Sequence, residues 1–245
     1  MKNESPKIVV IIAAGMGSRL KSDKGVPKPL LLLHGRPLIL RVLDRFYEAG
    51  IKHAVIVTGY RSQEVQDGIK SYKHPVKISF IKNDQYKKSN GLSVLAAKKA
   101  VGSQNFFLSM ADHIFDAALI DILAKAAIPK DGLVLAVDRK LESIYDEDDA
   151  TKVLTKNDFI VEINKELKEF DAVDTGLFAC TPALFDKIEK AASQNKNGES
   201  SLSDGVKALS AIKKAVVCDI KEGRWQDVDT PGAVTHAEKQ FTNLN

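Results

Sequence analysis

Cysteine and tryptophan are scarce in this chain: two of the first and one of the second among 245 residues. Cys180 and Cys218 lie far apart, with no CxxC spacing and no histidine nearby. A disulfide framework and a zinc site are therefore disfavoured, and buried thiols in a reducing compartment are expected. Charge of one sign is missing too. Thirty-six basic residues face 32 acidic ones, a formal excess of +4, and the lysines are spread among acids with no basic block, which argues against a nucleic-acid partner. No apolar run reaches the roughly 18 to 20 residues that cross a bilayer. The opening "MKNESPK" carries no apolar segment before Ile8, so export is not expected and a cytoplasmic location is.

What is present is ordinary globular composition, 44% apolar and 28% charged, enough to bury one sizeable core. Short apolar runs at 8–13, 54–58, 77–82, 105–110 and 132–138 alternate with helical patterns at 38–50, 63–72, 93–101 and 117–127. That alternation reads as an α/β, Rossmann-like fold with a mixed, mainly parallel sheet flanked by helices. The second half looks α+β: a hairpin turning at Asn157-Asp158, helices over 182–192 and 202–209, a strand at 215–220, and a last helix after Pro231. No repeat or linker divides the chain, so a single domain over 1–245 is expected, with its two parts at about 1–115 and about 116–245. The loop "SQNKNGESS" is rich in Ser, Asn and Gly and reads as mobile.

The segment "IIAAGMGSRLKSDKGVPKP" follows the first strand. Its glycines, Gly15 and Gly17, let backbone N–H groups of Ala13, Ala14 and Ser18 approach an anion with no Cβ in the way. Arg19, Lys21, Lys24 and Lys28 add charge, and Pro27 and Pro29 restrict the backbone around Lys28. Leu20 stands where a dinucleotide fingerprint needs its third glycine, and Val26 follows Gly25 where a Walker loop needs Lys-Ser/Thr. Hydride transfer and P-loop hydrolysis are therefore not first choices. A glycine turn with solvated lysines is the plainer alternative; a preset cluster of cations suits a triphosphate attacked at one phosphorus. The composite "AAGMGSRL" then "VPKPLL" resembles the signature of the sugar-nucleotidyltransferase superfamily, with its GT-A-like fold. The resemblance implies a nucleoside triphosphate wrapped by residues 13–28, with Arg19 and Lys28 as catalytic groups.

Asp112, in "FFLSMADHIF", sits just past an apolar strand, at the ligand-facing edge of a parallel sheet. A helix cap is the alternative role, but Asp116 is better placed for it. Asp227 and Asp229, in "GRWQDVDTPG", share one face if extended, and Asp229 can also cap the helix that begins at Pro231. Hard oxygen ligands suit Mg²⁺, and the resemblance implies that Asp112, Asp227 and Asp229 carry it.

The stretch "NDQYKKSNGLSVLAAK" resembles the segment that closes over base and ribose in cytidylyltransferases for small phosphorylated alcohols, which implies nucleotide contacts from Asp84, Asn90, Gly91 and Ser93. With "MADHIF", "DDATKV", "EFDAVDTGLF" and "WQDVDT", nearly the whole chain resembles the CTP:inositol-1-phosphate cytidylyltransferase family. The implied reaction is CMP transfer from CTP to inositol 1-phosphate, giving CDP-inositol and pyrophosphate. The chain ends at Asn245 without membrane helices, so a separate membrane phosphotransferase is expected to use the product; a homodimer is left open. Asp138, Arg139, Lys152, Asp174 and Thr175 are the expected acceptor contacts, with Lys152 meeting its phosphate. His113 is expected to orient its neighbours, because a phosphate monoester needs no base. Trp225 is expected to pack the metal strand, the acidic run at 146–149 to be solvated, and His34, His53, His74 and His236 to be ordinary. Phosphocholine or a hexose 1-phosphate as acceptor, UTP or GTP as donor, and a non-catalytic nucleotide sensor are the rival readings.

Overall fold

The computed structural model describes residues 5–20 and 25–242, so Lys21 and Lys24 lie outside the described residues. The first half runs β1 (Ile8–Ala13), α1 (Leu38–Glu48), β2 (His53–Thr58), α2 (Ser62–Lys70), β3 (Lys77–Lys82), α3 (Gly91–Ala96) and β4 (Phe106–Met110). The second runs β5 (His113–Phe115), α4 (Ala118–Lys125), β6 (Leu133–Asp138), β7 (Lys152–Lys156), β8 (Phe159–Asn164), β9 (Ala172–Cys180), α5 (Ala183–Gln194), α6 (Leu202–Ser210), β10 (Ala215–Asp219), β11 (Trp225–Asp227) and α7 (Pro231–Gln240).

One sheet passes through both halves in the order β3-β2-β1-β4-β9-β6-β10-β8-β7. Only β8 and β9 run against the common direction, so the sheet is mixed but mainly parallel, as the alternation of elements predicts. Successive residues of β1 go to opposite faces. Val10 joins Leu108, Phe178 and Val206 in one core, while Val9 and Ile11 join Phe46, Phe107 and Leu119 in the other. Helices cover both faces, which is why β1 is apolar throughout. On α1, Leu38, Ile39, Val42, Leu43 and Phe46 recur at helical spacing and are buried. The β7–β8 hairpin turns at Asn157 and Asp158, both at positive φ (51° and 60°), which these residue types tolerate.

The topology decides where ligands can meet. The carboxyl ends of β1, β4 and β6 lie on one edge of the sheet, and antiparallel β9 begins at that edge, with Val173 opposite Asp138. The residues that follow those strands therefore converge. Away from the sheet, β5 and β11 form a small ribbon with Asp227 opposite His113.

Two local expectations are corrected. Asp116 does not cap α4, since its carboxylate accepts from the Arg224 N–H and guanidinium at 2.8–3.0 Å; a charged fork binds it more strongly than a helix N–H. Thr230, not Asp229, caps α7 by accepting from Ala233 N–H at 3.1 Å, with Pro231 at the first position. The loop at 193–200 is bonded within itself and to Ser89. Cys180 and Cys218 are free thiols, and no helix among the described residues is long and apolar enough to cross a membrane.

Candidate active site

Two concavities meet at Asp112. The smaller, about 210 Å³, lies beyond β1 and is bounded by Ala13, Gly15, Gly17, Ser18, Arg19 and Lys28, together with Asp112 and Asp229. The larger, about 520 Å³, is bounded by Asp112, Asp138, Asp174, Trp225 and Asp227, with Asn90 at one side.

Glycines set the smaller pocket. Gly17 adopts φ +62°, and a Cβ there would stand 2.7 Å from Lys28 Cβ, so the bare backbone lets the Lys28 stem lie against it. At Gly15 an added Cβ would meet nothing within 4 Å, which leaves that backbone open to a ligand. Lys28 itself begins a short 3₁₀ turn between the two prolines.

Lys28 Nζ is 2.5 Å from Asp112 Oδ2 and 3.5 Å from Asp227 Oδ1. Burial works against the ammonium, but the Asp112 and Asp227 carboxylates more than offset it and raise its pKa. Burial also works against the Asp112 carboxylate, yet Lys28 and the His113 ring, 3.0 Å away at Nδ1, hold its pKa well below the usual range. Asp227 goes the other way. Burial first, then the Asp112 charge, push it up to about 6. Arg19 pairs with Asp149 and stands 2.6 Å from Asp229 Oδ2.

These residues fit a divalent cation. Ligand atoms of Asp112, His113 and Asp227 lie within 4.8 Å of one another, as do those of Asp149, Asp227 and Asp229. Asp227 belongs to both groups, and Asp227 Oδ1 and Asp229 Oδ2 are buried oxygens that accept no well-directed hydrogen bond. Hard carboxylate oxygens are what such an ion requires, although Asp229 Oδ2 already faces the Arg19 guanidinium at 2.6 Å.

Several expected contacts are not brought here. Ala14 is buried, its carbonyl accepting from Tyr60 N–H at 3.0 Å. Asp84 is exposed and pairs with Lys82 at 2.6 Å. Ser93 is buried and accepts from Asn83 Nδ2 at 2.9 Å, and Gly91 packs against the Ser200 carbonyl. Arg139 pairs with Asp171 and donates to Thr155 Oγ1 at 3.1 Å. Thr175 is buried and donates to the Ala136 carbonyl at 2.8 Å. Lys152 donates to the Asp148 and Lys165 carbonyls and lies over Phe170; the lysines that line the cleft are Lys140, which is bonded to Asp138, and Lys165, 2.9 Å from Asp149.

Other residues enter unannounced. Asp149, from the run expected to be solvated, meets Arg19. His236 lines the cleft, stacked on Tyr145 at 4.5 Å and bonded to Gln226 at 2.6 Å. Trp225 does pack: its ring stacks on His113 at 5.9 Å and its Nε1–H donates to Asp138 at 3.0 Å. It also lines the cleft. Asp138, which also accepts from Lys140, is thereby committed to holding Trp225.

Burial raises the Asp174 carboxyl from 3.8 to about 6, against the Gly176 N–H and the His113 ring. A carboxyl that prefers the proton when folded stabilises the fold fully below about pH 4, and that contribution is lost as pH rises to about 6. Asp174→Asn should therefore flatten the fall in melting temperature between pH 4 and 6 in metal-free buffer. An unchanged slope would contradict the burial of this charge.

A family model described as "MobA-like NTP transferase domain" matches residues 9–210. The chain is 33% identical over 237 residues to a "Bifunctional IPC transferase and DIPP synthase" of Thermococcus kodakarensis, covering 96% of this chain and 51% of that protein. It is 31% identical to the protein of the same name from Rubrobacter xylanophilus, covering 90% and 49%. The chain thus spans about half the length of the curated relatives it matches. Among solved structures it is similar to the inositol-1-phosphate CTP transferase from T. maritima, with TM-score 0.87, 21% identity, and 99% and 97% of the two chains covered. That likeness establishes the nucleotidyltransferase fold.

Proposed function

Since the chain belongs to the MobA-like NTP transferase family, we propose that it is a cytidylyltransferase, transferring CMP from CTP to inositol 1-phosphate with release of pyrophosphate. The observation that carries this reading is the Lys28–Asp112 contact on the wall shared by the two pockets. A cation and a carboxylate at that boundary stand where a phosphorus held from one side would be reached from the other.

In this reading the triphosphate lies in the smaller pocket, along the open backbone of Gly15 and under Arg19 and Lys28, and its nucleoside end extends toward Asn90. The acceptor occupies the rest of the cleft, its hydroxyls facing Asp174 and its phosphate within reach of Lys165. The acceptor's phosphate oxygen bonds to the α-phosphorus as the bond to the departing pyrophosphate breaks. Lys28 offsets the charge that builds at the α-phosphate, and Arg19 leaves Asp149 for the pyrophosphate. Asp112 and Asp227 would hold Mg²⁺, which when bound supplies further positive charge to the phosphates. His113 keeps Asp112 oriented by donating from Nδ1. Catalysis is positioning and electrostatics, with no covalent intermediate.

Names borne by the relatives favour a cyclic polyol phosphate and CTP. A quaternary amine would call for an aromatic cage, and although Trp225 and Tyr145 reach the cleft, each already stacks one face on a histidine. A cytoplasmic enzyme whose product passes to a membrane phosphotransferase is the setting this implies. The test is pyrophosphate release with each of the four ribonucleotides against inositol 1-phosphate, phosphocholine and glucose 1-phosphate. Turnover with CTP and inositol 1-phosphate is expected. Turnover only with another pair would leave the fold and family but remove this substrate assignment, and nucleotide binding without turnover would favour a sensor.

A further inference from the structure

We infer that Glu199 is a positioning residue for the nucleotide: it clasps Ser89 so that the neighbouring Asn90 amide is aimed at the bound ligand. This rests on the nucleotidyltransferase reading above.

The loop before α6 is built to present one carboxylate. Asn195 Nδ2 donates to the Glu199 carbonyl at 2.6 Å, and Glu199 N–H donates to Asn197 Oδ1 at 3.1 Å. Glu199 Oε2 then accepts twice from one distant residue, from Ser89 N–H at 3.1 Å and Ser89 Oγ at 3.0 Å. Two hydrogen bonds to a charged acceptor are stronger than neutral ones and fix a direction as well as a distance. The following residues close the seam: a Cβ at Gly91 would stand 2.2 Å from the Ser200 carbonyl oxygen, so glycine is what lets this loop lie against 89–91.

Asn90 lies between these two contacts. Its Oδ1 accepts the Leu202 N–H at 2.9 Å. Only the carbonyl end of the amide can accept there, so the Nδ2 group and its two donors are the end left for the cleft that Asn90 lines. Hydroxyls and phosphate oxygens of a nucleotide are acceptors for such donors. Glu199 touches no ligand; it acts through Ser89 and its backbone on Asn90.

The test titrates CTP with Mg²⁺ into the full chain and reads the fluorescence of Trp225, the one tryptophan of the sequence. Glu199→Ala should weaken CTP binding about tenfold, with turnover at saturation within about threefold of wild type and the acceptor KM unchanged. Glu199→Gln, which keeps a carbonyl acceptor, should recover most of the affinity. Ser89→Ala, a milder change on the other side of the clasp, should cost about threefold to fivefold and stands in if the alanine variant fails to fold. CTP affinity equal to wild type in Ser89→Ala or in a folded Glu199→Ala overturns the inference, as does a fall in turnover with KM held. A wild-type protein that binds no nucleotide removes the functional reading itself and this inference with it; binding by wild type and variants alike removes the inference alone.

Discussion

Replacing Lys28 by alanine is expected to slow turnover by about 10²–10³-fold, the range seen when one preorganised donor is removed from a site of developing charge. The side chain is held for that task. Gly17 receives its stem, and the Asp112 and Asp227 carboxylates keep the ammonium charged against the pull of burial. Stability should respond differently from rate. Breaking a buried pair usually costs about 3–5 kcal/mol because a charge is left uncompensated, but here the charges left behind are the candidate metal ligands. In chelator the Lys28→Ala protein should melt lower than wild type, and Mg²⁺ should restore most of that difference while the rate stays low. A variant that is slow only because it is unfolded would show no such separation. An unaltered rate would remove Lys28 from the mechanism.

The second large effect is expected at Asp112. Asp112→Asn keeps the size of the side chain and an oxygen for the His113 Nδ1–H, but it removes the charge that faces Lys28 and the cation. Turnover should fall by more than about 10²-fold, and the Mg²⁺ concentration for half-maximal rate should rise at least about tenfold. A variant with wild-type Mg²⁺ dependence would show that the cation is held elsewhere.

Much of this can be read along the chain because it is local. The glycine loop, Arg19 and Lys28 fall within one short stretch, and the alternation of β1, α1, β2, α2 and β3 follows from apolar spacing. The period of a strand also bears on two of the expected acceptor pairs. Neighbours in extended chain face opposite ways, so Asp138 and Arg139, which lies just past the end of β6, point apart, as do Asp174 and Thr175 on β9. Arg139 goes to Asp171 on the other side, and Thr175 is buried under Ala136.

What is not legible depends on long-range pairing. The β5–β11 ribbon joins segments of three residues each, too short to carry a periodic signal, yet it is what sets Asp227 beside Asp112. Asp149 belongs to a run of acids that looks solvated, and its partners, Arg19 from the glycine loop and Lys165 from beyond β8, come from distant segments. Tyr145 and His236 meet only once α7 has folded back over the cleft; nothing in either segment announces the other. Asp84 departs in the opposite sense. It lies inside a stretch that carries the family resemblance but turns outward to Lys82.

A double-mutant cycle on turnover with CTP, comparing Lys28→Ala, Asp112→Asn and the pair, tests most directly whether the two residues act on one phosphorus. Groups that work as a unit are strongly non-additive, so the double variant is expected within about threefold of the slower single variant. A double variant slowed by the product of the two separate losses would mean that Lys28 and Asp112 serve independent steps.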